Sequence, residues 1–579
     1  MMPPVTPVLP DSEAQPLLRV DGLEVGFMRD GRYSNVLRQV GFTLRRGHTL
    51  GIVGESGSGK SVTCMSVMRL LPETVARASG SIMFAPDATS QPVDLLTLSE
   101  QEMCRLRGNH ISMIFQEPMT SLNPVHRCGD QVVEMLRRHE NISGDEARQR
   151  VLELFDEVRL PRPEKLFRSY PHEISGGQKQ RVMIAMALVC HPDLLIADEP
   201  TTALDVTVQR DILSLLRQLQ DKYHIGVIFI THDLGVVAQV ADEVLVMYRG
   251  EVVESGSADA VLHHPQHPYT RGLLACRPPL DSRPFRLPTV TDFLDGSVQP
   301  DVAAASDISV RADRSDPHSV LLSARDVSVS YSLRRNLFGK SLQELQAVDK
   351  VSFDIYEGET LGLVGESGCG KSTLGRALLR LVPLRSGQVS FEGVDMATLP
   401  PRALRRMRTR MQLVFQDPFS SLNPHRTIGD TLLEPLSVHR LFDSDGQRRR
   451  HVVELLERVG LPSDSVRRYP HEFSGGQRQR IVIARALALN PRLVVCDESV
   501  SALDVSVQAQ VLNLLNDLKR QFGYTYLFIT HDLSVVKFLS DRILVMQQGR
   551  IVEQGPVDEL YRNPQTAYTK KLLEAIPRL

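Results

Sequence analysis

The chain has 579 residues, 42% of them hydrophobic and 23% charged, enough apolar content for two cores of ordinary size. Lys plus Arg number 67 against 69 Asp plus Glu, so there is no basic excess of the kind that holds a nucleic acid by its phosphates. The longest apolar runs, such as Val227–Ile230 and Leu493–Cys496, are four to five residues, far short of the roughly 20 that cross a bilayer, so no membrane-spanning helix is expected.

Met1–Pro10 lacks a basic n-region and is broken by prolines, so it does not read as a signal peptide, and residues 1–17 are expected to be a tail. From residue 18 to 280, short apolar runs ending in polar or Gly-rich turns alternate with helical patterns, the sequence form of a mostly parallel α/β sheet. Leu50-Gly51-Ile52-Val53 reads as a buried strand and runs into Gly54-Glu55-Ser56-Gly57-Ser58-Gly59-Lys60-Ser61. A Gly-rich turn between strand and helix lets backbone N–H groups close on phosphate oxygens at the positive end of the helix. Lys60 would then sit over the β and γ phosphates, and Ser61 would offer its hydroxyl to Mg²⁺.

Gln116 follows in the turn Phe115-Gln116-Glu117-Pro118, placed to touch Mg²⁺ or water and to report occupancy. The stretch from Glu117 to about Tyr170 contains Asp145–Val158, apolar at helical spacing, and predicts a helical subdomain inserted into the core. Ser175-Gly176-Gly177-Gln178 precedes a helix expected to begin near Gln178, a second helix N-terminus able to bind phosphate. The apolar strand Leu194–Ala197 ends in Asp198, where a carboxylate can orient Mg²⁺ at the sheet edge. Glu199 beside it is placed to polarise an attacking water as general base. The strand Val227–Ile230 is followed by His232, whose imidazole can reach a γ-phosphate. Residues 281–320 are rich in Pro, Ser, Asp and Ala without apolar periodicity and are expected to be a linker.

From residue 321 to 579 the program repeats. The second P-loop is Gly365-Glu366-Ser367-Gly368-Cys369-Gly370-Lys371-Ser372, followed in the same order by Gln416, Ser474-Gly475-Gly476-Gln477, Asp497-Glu498, Ala502-Leu503-Asp504 and His531. Ser474 lies 299 residues after Ser175, as do Asp497 after Asp198, His531 after His232 and Tyr568 after Tyr269. Lys371 lies 311 residues after Lys60, so the first copy carries about a dozen extra residues before Gln116, expected in the surface stretch 85–92. A period this long means two domains with their own cores, not a solenoid. Catalytic roles are therefore expected of Glu199, Glu498, His232, His531, Gln116 and Gln416, and Mg²⁺ contacts of Ser61, Gln116, Asp198, Ser372, Gln416 and Asp497.

The basic runs Arg402–Arg410 and Arg448–Arg450 read as solvated helix faces. The seven cysteines form no C-x-x-C pair and have no His at ligand spacing, so neither zinc nor a disulfide framework is expected, and a reducing cytosol fits. Cys369 in the second P-loop and Cys496 beside Asp497 are the two whose alkylation would be expected to inhibit.

The order of P-loop, Gln loop, Ser-Gly-Gly-Gln signature, Asp-Glu, Ala-Leu-Asp and switch His resembles the ATP-binding-cassette ATPases over nearly the whole chain outside its linker. The resemblance implies two tandem P-loop NTPase domains of α/β fold, with ATP and Mg²⁺ as cofactors. It also implies head-to-tail pairing in which Lys60 shares one ATP with Ser474–Gln477 and Lys371 the other with Ser175–Gln178, and an adenine-stacking aromatic, here Phe27 and Tyr331. The signatures begin with Ile174 and Phe473 where the family has Leu, and Ser499 stands where it has Pro; neither change removes a reacting group.

His267-Pro268-Tyr269-Thr270-Arg271-Gly272-Leu273-Leu274 and Ala567-Tyr568-Thr569-Lys570-Lys571-Leu572-Leu573, with Ser121-Leu122-Asn123-Pro124 and Ser421-Leu422-Asn423-Pro424, resemble the peptide and nickel importer branch. Tyr170-Pro171-His172-Glu173 and Glu498–Asp504 are similar to members that import glutathione, with di- and oligopeptide or nickel import as the alternative. This implies two integral membrane permease subunits as partners, an extracytoplasmic solute-binding protein as an indirect one, no nucleic acid, and a peripheral place on the cytoplasmic face of the inner membrane. Some relatives hold an iron–sulfur centre after the first cassette; with Cys276 alone there, no cluster is expected. Soluble twin-cassette factors of ribosomes or DNA repair would carry long charged or coiled-coil helices or zinc cysteines, which this sequence lacks.

Overall fold

The computed structural model describes residues 15–29, 32–86, 90–116, 121–202, 204–296, 319–335, 341–501 and 503–577. The expected tail up to residue 14, the expected linker from 297 to 318, and the motif residues Glu117, Pro118, Ala203 and Ala502 lie outside the described residues. Contacts within the chain divide it into two compact units, residues 1–204 with 208–274 and 577–579, and residues 275–576 with 205–207.

In the first unit the strands are β1 (Leu18–Arg29), β2 (Arg32–Leu44), β3 (Thr49–Val53), β4 (Ala76–Phe84), β5 (Val93–Asp94), β6 (Ile111–Ile114), β7 (Leu194–Asp198), β8 (Gly226–Ile230), β9 (Glu243–Tyr248) and β10 (Glu251–Ser257). An antiparallel sheet runs β2-β1-β4-β5 and a second sheet runs β10-β9-β3-β8-β7-β6. In the second sheet β3 is parallel to β8 and β9, and β7 to β6 and β8, while β10 alone pairs antiparallel. Every residue of β3, β7 and β8 is buried, which is why these strands read as continuous apolar runs instead of alternating. Parallel strands turn their carboxyl ends to one edge, so the loops after β3, β6, β7 and β8 gather there.

The expected helical insert is present as Cys128–His139, Gly144–Glu157 and Pro163–Arg168. Phe155 and Phe167 close its core with ring centroids 6.3 Å apart, and a Cβ at Gly129 would overlap the Phe167 ring, so only glycine lets these helices approach.

The second unit repeats the plan with β11 (Val320–Arg335), β12 (Ser341–Tyr356), β13 (Thr360–Val364), β14 (Ser386–Phe391), β15 (Val394–Asp395), β16 (Met411–Val414), β17 (Leu493–Asp497), β18 (Thr525–Ile529), β19 (Arg542–Gln547) and β20 (Arg550–Pro556). Its sheets run β12-β11-β14-β15 and β16-β17-β18-β13-β19-β20, the first unit's order with the second sheet named from its other edge. The extra residues of the first copy fall partly in the β4–β5 connection, where Phe84 pairs with Val93 against Phe391 with Val394, and partly in β4, nine residues long against six in β14.

The start of the expected linker is ordered structure of the second unit. Val290–Leu294 is a short helix, and Leu287 and Val290 are buried. Asn513 on the helix Val505–Phe522 accepts the Leu287 N–H at 2.9 Å and donates to its carbonyl at 2.8 Å, a strand-like clasp from one side chain. Arg283 is held by the carbonyls of Phe538 and Ser540, with Asp541 at 3.7 Å and Asp558 at 3.6 Å. Sequence periodicity misses this segment because its apolar residues are isolated among prolines and pack by tertiary contact.

Candidate active site

The P-loop backbone is built for close approach. Gly54, Gly57 and Gly59 have φ of 151°, 79° and 105°, and a Cβ at Gly54 would run into the carbonyl of Met247. The buried Lys60 donates from Nζ to the carbonyls of Gly54 at 2.8 Å and Glu55 at 2.9 Å, which arches the loop over its ammonium. Lys371 does the same with Gly365 at 2.7 Å and Glu366 at 3.0 Å.

Ser61 Oγ donates to Asp198 Oδ1 at 3.2 Å, and Ser372 Oγ to Asp497 Oδ1 at 2.6 Å. Burial raises both Asp carboxyls, with the serine hydroxyl opposing it, and a cation at this pair would favour the charged form. Among the described residues no group of three or more His, Cys, Asp or Glu could hold a metal ion. One hydroxyl and one carboxylate suit a hard divalent cation that keeps waters and phosphate oxygens as its remaining ligands.

Glu199 is drawn into the same edge. It has φ 48°, unusual for a non-glycine residue, while its N–H donates to the Ile230 carbonyl at 3.0 Å. Its carboxylate accepts from Gln116 Nε2 at 3.0 Å and Thr202 Oγ1 at 2.8 Å, and its Oε1 lies 3.2 Å from His232 Nδ1. Burial alone would raise this carboxyl, but His232, Thr202 and Lys60 outweigh it and hold it down at about 2. In the second unit Glu498 has φ 47°, accepts from Gln416 Nε2 at 2.6 Å and faces His531 Nδ1 at 3.7 Å. Residues that follow three strands, β6, β7 and β8 in the first unit and β16, β17 and β18 in the second, thus meet around one glutamate in each unit.

The signature residues bond locally. The Ser175 hydroxyl accepts the Gln178 N–H at 3.4 Å while Gln178 Oε1 accepts the Ser175 N–H at 3.1 Å, and Ser474 and Gln477 repeat this at 3.3 and 3.1 Å. This capping box starts the helices at Gly176 and Gly475, two residues before the expected starts, because the serine supplies the N-cap. Phe27 and Tyr331 occupy matching register positions, opposite Ser34 on β2 and Leu345 on β12.

Residues 37–202 and 348–501 match the family described as ABC transporter. The chain belongs to the ABC transporter family. Its two cassettes are ATPase domains. Residues 253–292 and 552–579 match a second description, oligopeptide/dipeptide transporter, C-terminal region. The chain is 49% identical over 570 residues to the glutathione import ATP-binding protein GsiA of Shigella boydii serotype 4, covering 98% of this chain and 90% of that one. It matches the protein of the same name from Salmonella typhimurium equally, at 49% over 98% of this chain and 90% of that one.

The two cassettes differ in groups that motif reading does not single out. Thr202 bonds the Glu199 carboxylate, whereas Ser501 Oγ donates to the Glu498 backbone carbonyl at 3.0 Å. Arg376 faces Asp497 at 3.7 Å, and Met65 stands at the corresponding position of the first P-loop helix. Motif spacing does not say what the Thr202, Ser501 and Arg376 side chains touch. Among the described residues no helix is long and apolar enough to cross a membrane.

Proposed function

We propose that this chain is the ATP-hydrolysing motor of an importer for glutathione or short peptides, acting from the cytoplasmic face of the membrane on two separate permease subunits. An extracytoplasmic binding protein would deliver the solute to them. The glutathione reading is supported by the 49% identity to proteins named for glutathione import over nearly the full chain.

The P-loop amides cradle the phosphates, with Lys60 and Lys371 over the β and γ groups. Ser61 with Asp198, and Ser372 with Asp497, would hold Mg²⁺, Gln116 and Gln416 lying beside them. When bound, the ion neutralises charge building on the transferred phosphoryl oxygens. Glu199 and Glu498 orient the attacking water and take its proton, and His232 and His531 reach the γ-phosphate. Ser175–Gln178 and Ser474–Gln477 offer capped helix N-termini to phosphate, and Phe27 and Tyr331 supply aromatic faces for adenine.

The observation that carries the catalytic assignment is the Glu199 carboxylate, held at positive φ by Gln116, His232 and Thr202 together. A carboxylate tied down to about 2 is a weak base, so these ties must loosen before it accepts a proton. Import of di- or oligopeptides is a second reading, favoured by the match of both C-terminal regions to the oligopeptide/dipeptide description.

Labelled glutathione uptake tests the proposal in cells lacking this gene, complemented by the intact chain or by Glu199→Gln plus Glu498→Gln, with an unlabelled dipeptide as competitor. Uptake restored by the intact chain alone and resistant to the dipeptide is expected. Restoration of dipeptide uptake without glutathione uptake would move the substrate to peptides. Near-normal ATP turnover by the double variant, instead of a loss of about 10²–10⁴-fold, would remove the catalytic assignment.

A further inference from the structure

The residue whose carbonyl holds the P-loop lysine is itself held from behind. In the first cassette the Glu55 carbonyl accepts from Lys60 Nζ at 2.9 Å and from the Ser58 N–H at 3.1 Å, while the Glu55 N–H donates to the phenol oxygen of Tyr269 at 3.0 Å. In the second, the Glu366 carbonyl accepts from Lys371 Nζ at 3.0 Å and from the Cys369 N–H at 3.2 Å, and the Glu366 N–H donates to Tyr568 at 3.1 Å. Both faces of one residue at the mouth of each P-loop are therefore fixed, one by the lysine and one by a tyrosine more than 200 positions away in sequence.

The tyrosine sits on a braced element. Tyr269 is fully buried on the helix Pro268–Ala275, and Tyr568 lies on Ala567–Glu574. Ahead of the first helix, Glu254 of β10 accepts the N–H groups of Gln266 at 2.7 Å and His267 at 3.1 Å. Ahead of the second, Glu553 of β20 accepts those of Gln565 at 2.8 Å and Thr566 at 3.1 Å. The helix caps differ, His267 Nδ1 accepting the Tyr269 N–H at 3.1 Å and Thr566 Oγ1 the Thr569 N–H at 3.1 Å. The Tyr248 ring lies against Tyr269 with centroids 4.3 Å apart and planes tilted by 36°, and Gln547 stands at the matching place in the second cassette. What both cassettes keep is the carboxylate, the helix and the hydroxyl aimed at the P-loop amide.

We propose that Tyr269 and Tyr568 are positioning residues for ATP binding, through which the C-terminal region of each cassette sets the arch of its own P-loop. The later amides of the loop must converge on phosphate oxygens, and their direction follows from the peptide plane at Glu55 or Glu366. Removing the hydroxyl leaves the peptide that carries this N–H held from its carbonyl side, Gly54 or Gly365, by the lysine, and the cost of that looser hold is met chiefly when phosphate binds. The neutral phenol is the form that serves, and burial pushes the Tyr568 phenol well above its ordinary range.

The inference rests on the ATPase reading of the two sites. Its test is steady-state ATP hydrolysis by the full chain carrying Tyr269→Phe plus Tyr568→Phe, with Tyr223→Phe as the control for loss of a hydroxyl that bonds Glu157 outside the site. The expected result is a KM for ATP raised about three- to tenfold, the range of one lost hydrogen bond, with kcat falling less than KM rises and the control unchanged. A KM within about 1.5-fold of the unaltered chain would overturn the proposal, since a ring that only fills space is retained by Phe. Should the double Phe chain fold poorly, Glu254→Gln plus Glu553→Gln loosens the brace without touching the P-loop or the rings. A raised KM there supports the proposal, and an unchanged one overturns it. Absence of ATP hydrolysis by the unaltered chain would instead remove the ATPase reading beneath it.

Discussion

His531 and Glu498 form an ion pair inside the second cassette, Nδ1 to Oε1 at 3.7 Å, against 3.2 Å for His232 and Glu199 in the first. Burial opposes charge on both partners of the second pair, yet their contact prevails: the imidazole stands above its ordinary 6.5 and the carboxyl below its ordinary 4.5. The raised imidazole stabilises the fold fully below about 6.5, a contribution lost as pH climbs through its raised value. The lowered carboxyl contributes above about 4.5, and this is lost as pH falls through its lowered value. Thermal unfolding between about pH 6 and 9 should therefore show the chain losing stability on the alkaline side, and His531→Gln should flatten that slope. Equal slopes would remove the pair as its source.

Thr202 gives the first site a hydroxyl bond to its carboxylate, where Ser501 in the second bonds the Glu498 backbone carbonyl instead. Thr202→Val should raise the Glu199 carboxyl from about 2 by about one unit, the worth of one hydrogen bond to a charged group. With Glu498→Gln silencing the second site, the acid limb of ATP hydrolysis should move up by that amount. Ser501→Ala, tested with Glu199→Gln, should leave its acid limb in place; equal shifts would contradict the asymmetry.

The sequence alone suggests inhibitory alkylation at Cys369 or Cys496, and the structure argues otherwise. Cys496 is fully buried and its thiol is pushed up to about 12, and burial also raises the Cys369 thiol. Cys104 is the exposed one of the seven. Iodoacetamide near neutral pH should label Cys104 first, by peptide mass mapping, with ATP hydrolysis retained. Rapid labelling of Cys496 would overturn this.

Arg283→Ala should lower the stability of the second unit by about 1–3 kcal/mol, because the carbonyls of Phe538 and Ser540 lose a charged donor. The lower half of that range is expected, since Asp541 keeps Lys519 at 2.6 Å and Asp558 keeps Lys537 at 2.7 Å. Arg286 pairs with Asp517 at 3.1 Å but is 63% exposed, and Arg286→Ala should change stability by less than about 0.5 kcal/mol. Denaturant unfolding of the two variants checks the contrast, and equal effects would refute it.

Buried parallel strands announce themselves, so β3, β7, β8 and their counterparts are legible as short apolar runs, each leading into a turn that carries the chemistry. The site network was legible for the same reason: strand ends place Ser61, Asp198, Glu199, His232 and Gln116 at one edge. The tyrosine hydroxyl behind the P-loop was not, because motif spacing marks Tyr269 and Tyr568 without saying what their oxygens touch. The docking of Arg283 and Leu287 was hidden as well, since a lone Arg and a lone Leu among prolines have no period to read.

The segment clasped by Asn513 bears on how the gene can be divided. A second half begun at residue 321 would leave behind Leu287 and Val290 and strip a cover from the helix Val505–Phe522, while a first half ended at 280 would not need them. Separately expressed halves should therefore be cut between the helix Pro268–Ala275 and Arg283, which hands the Arg283 latch to the cassette it fastens.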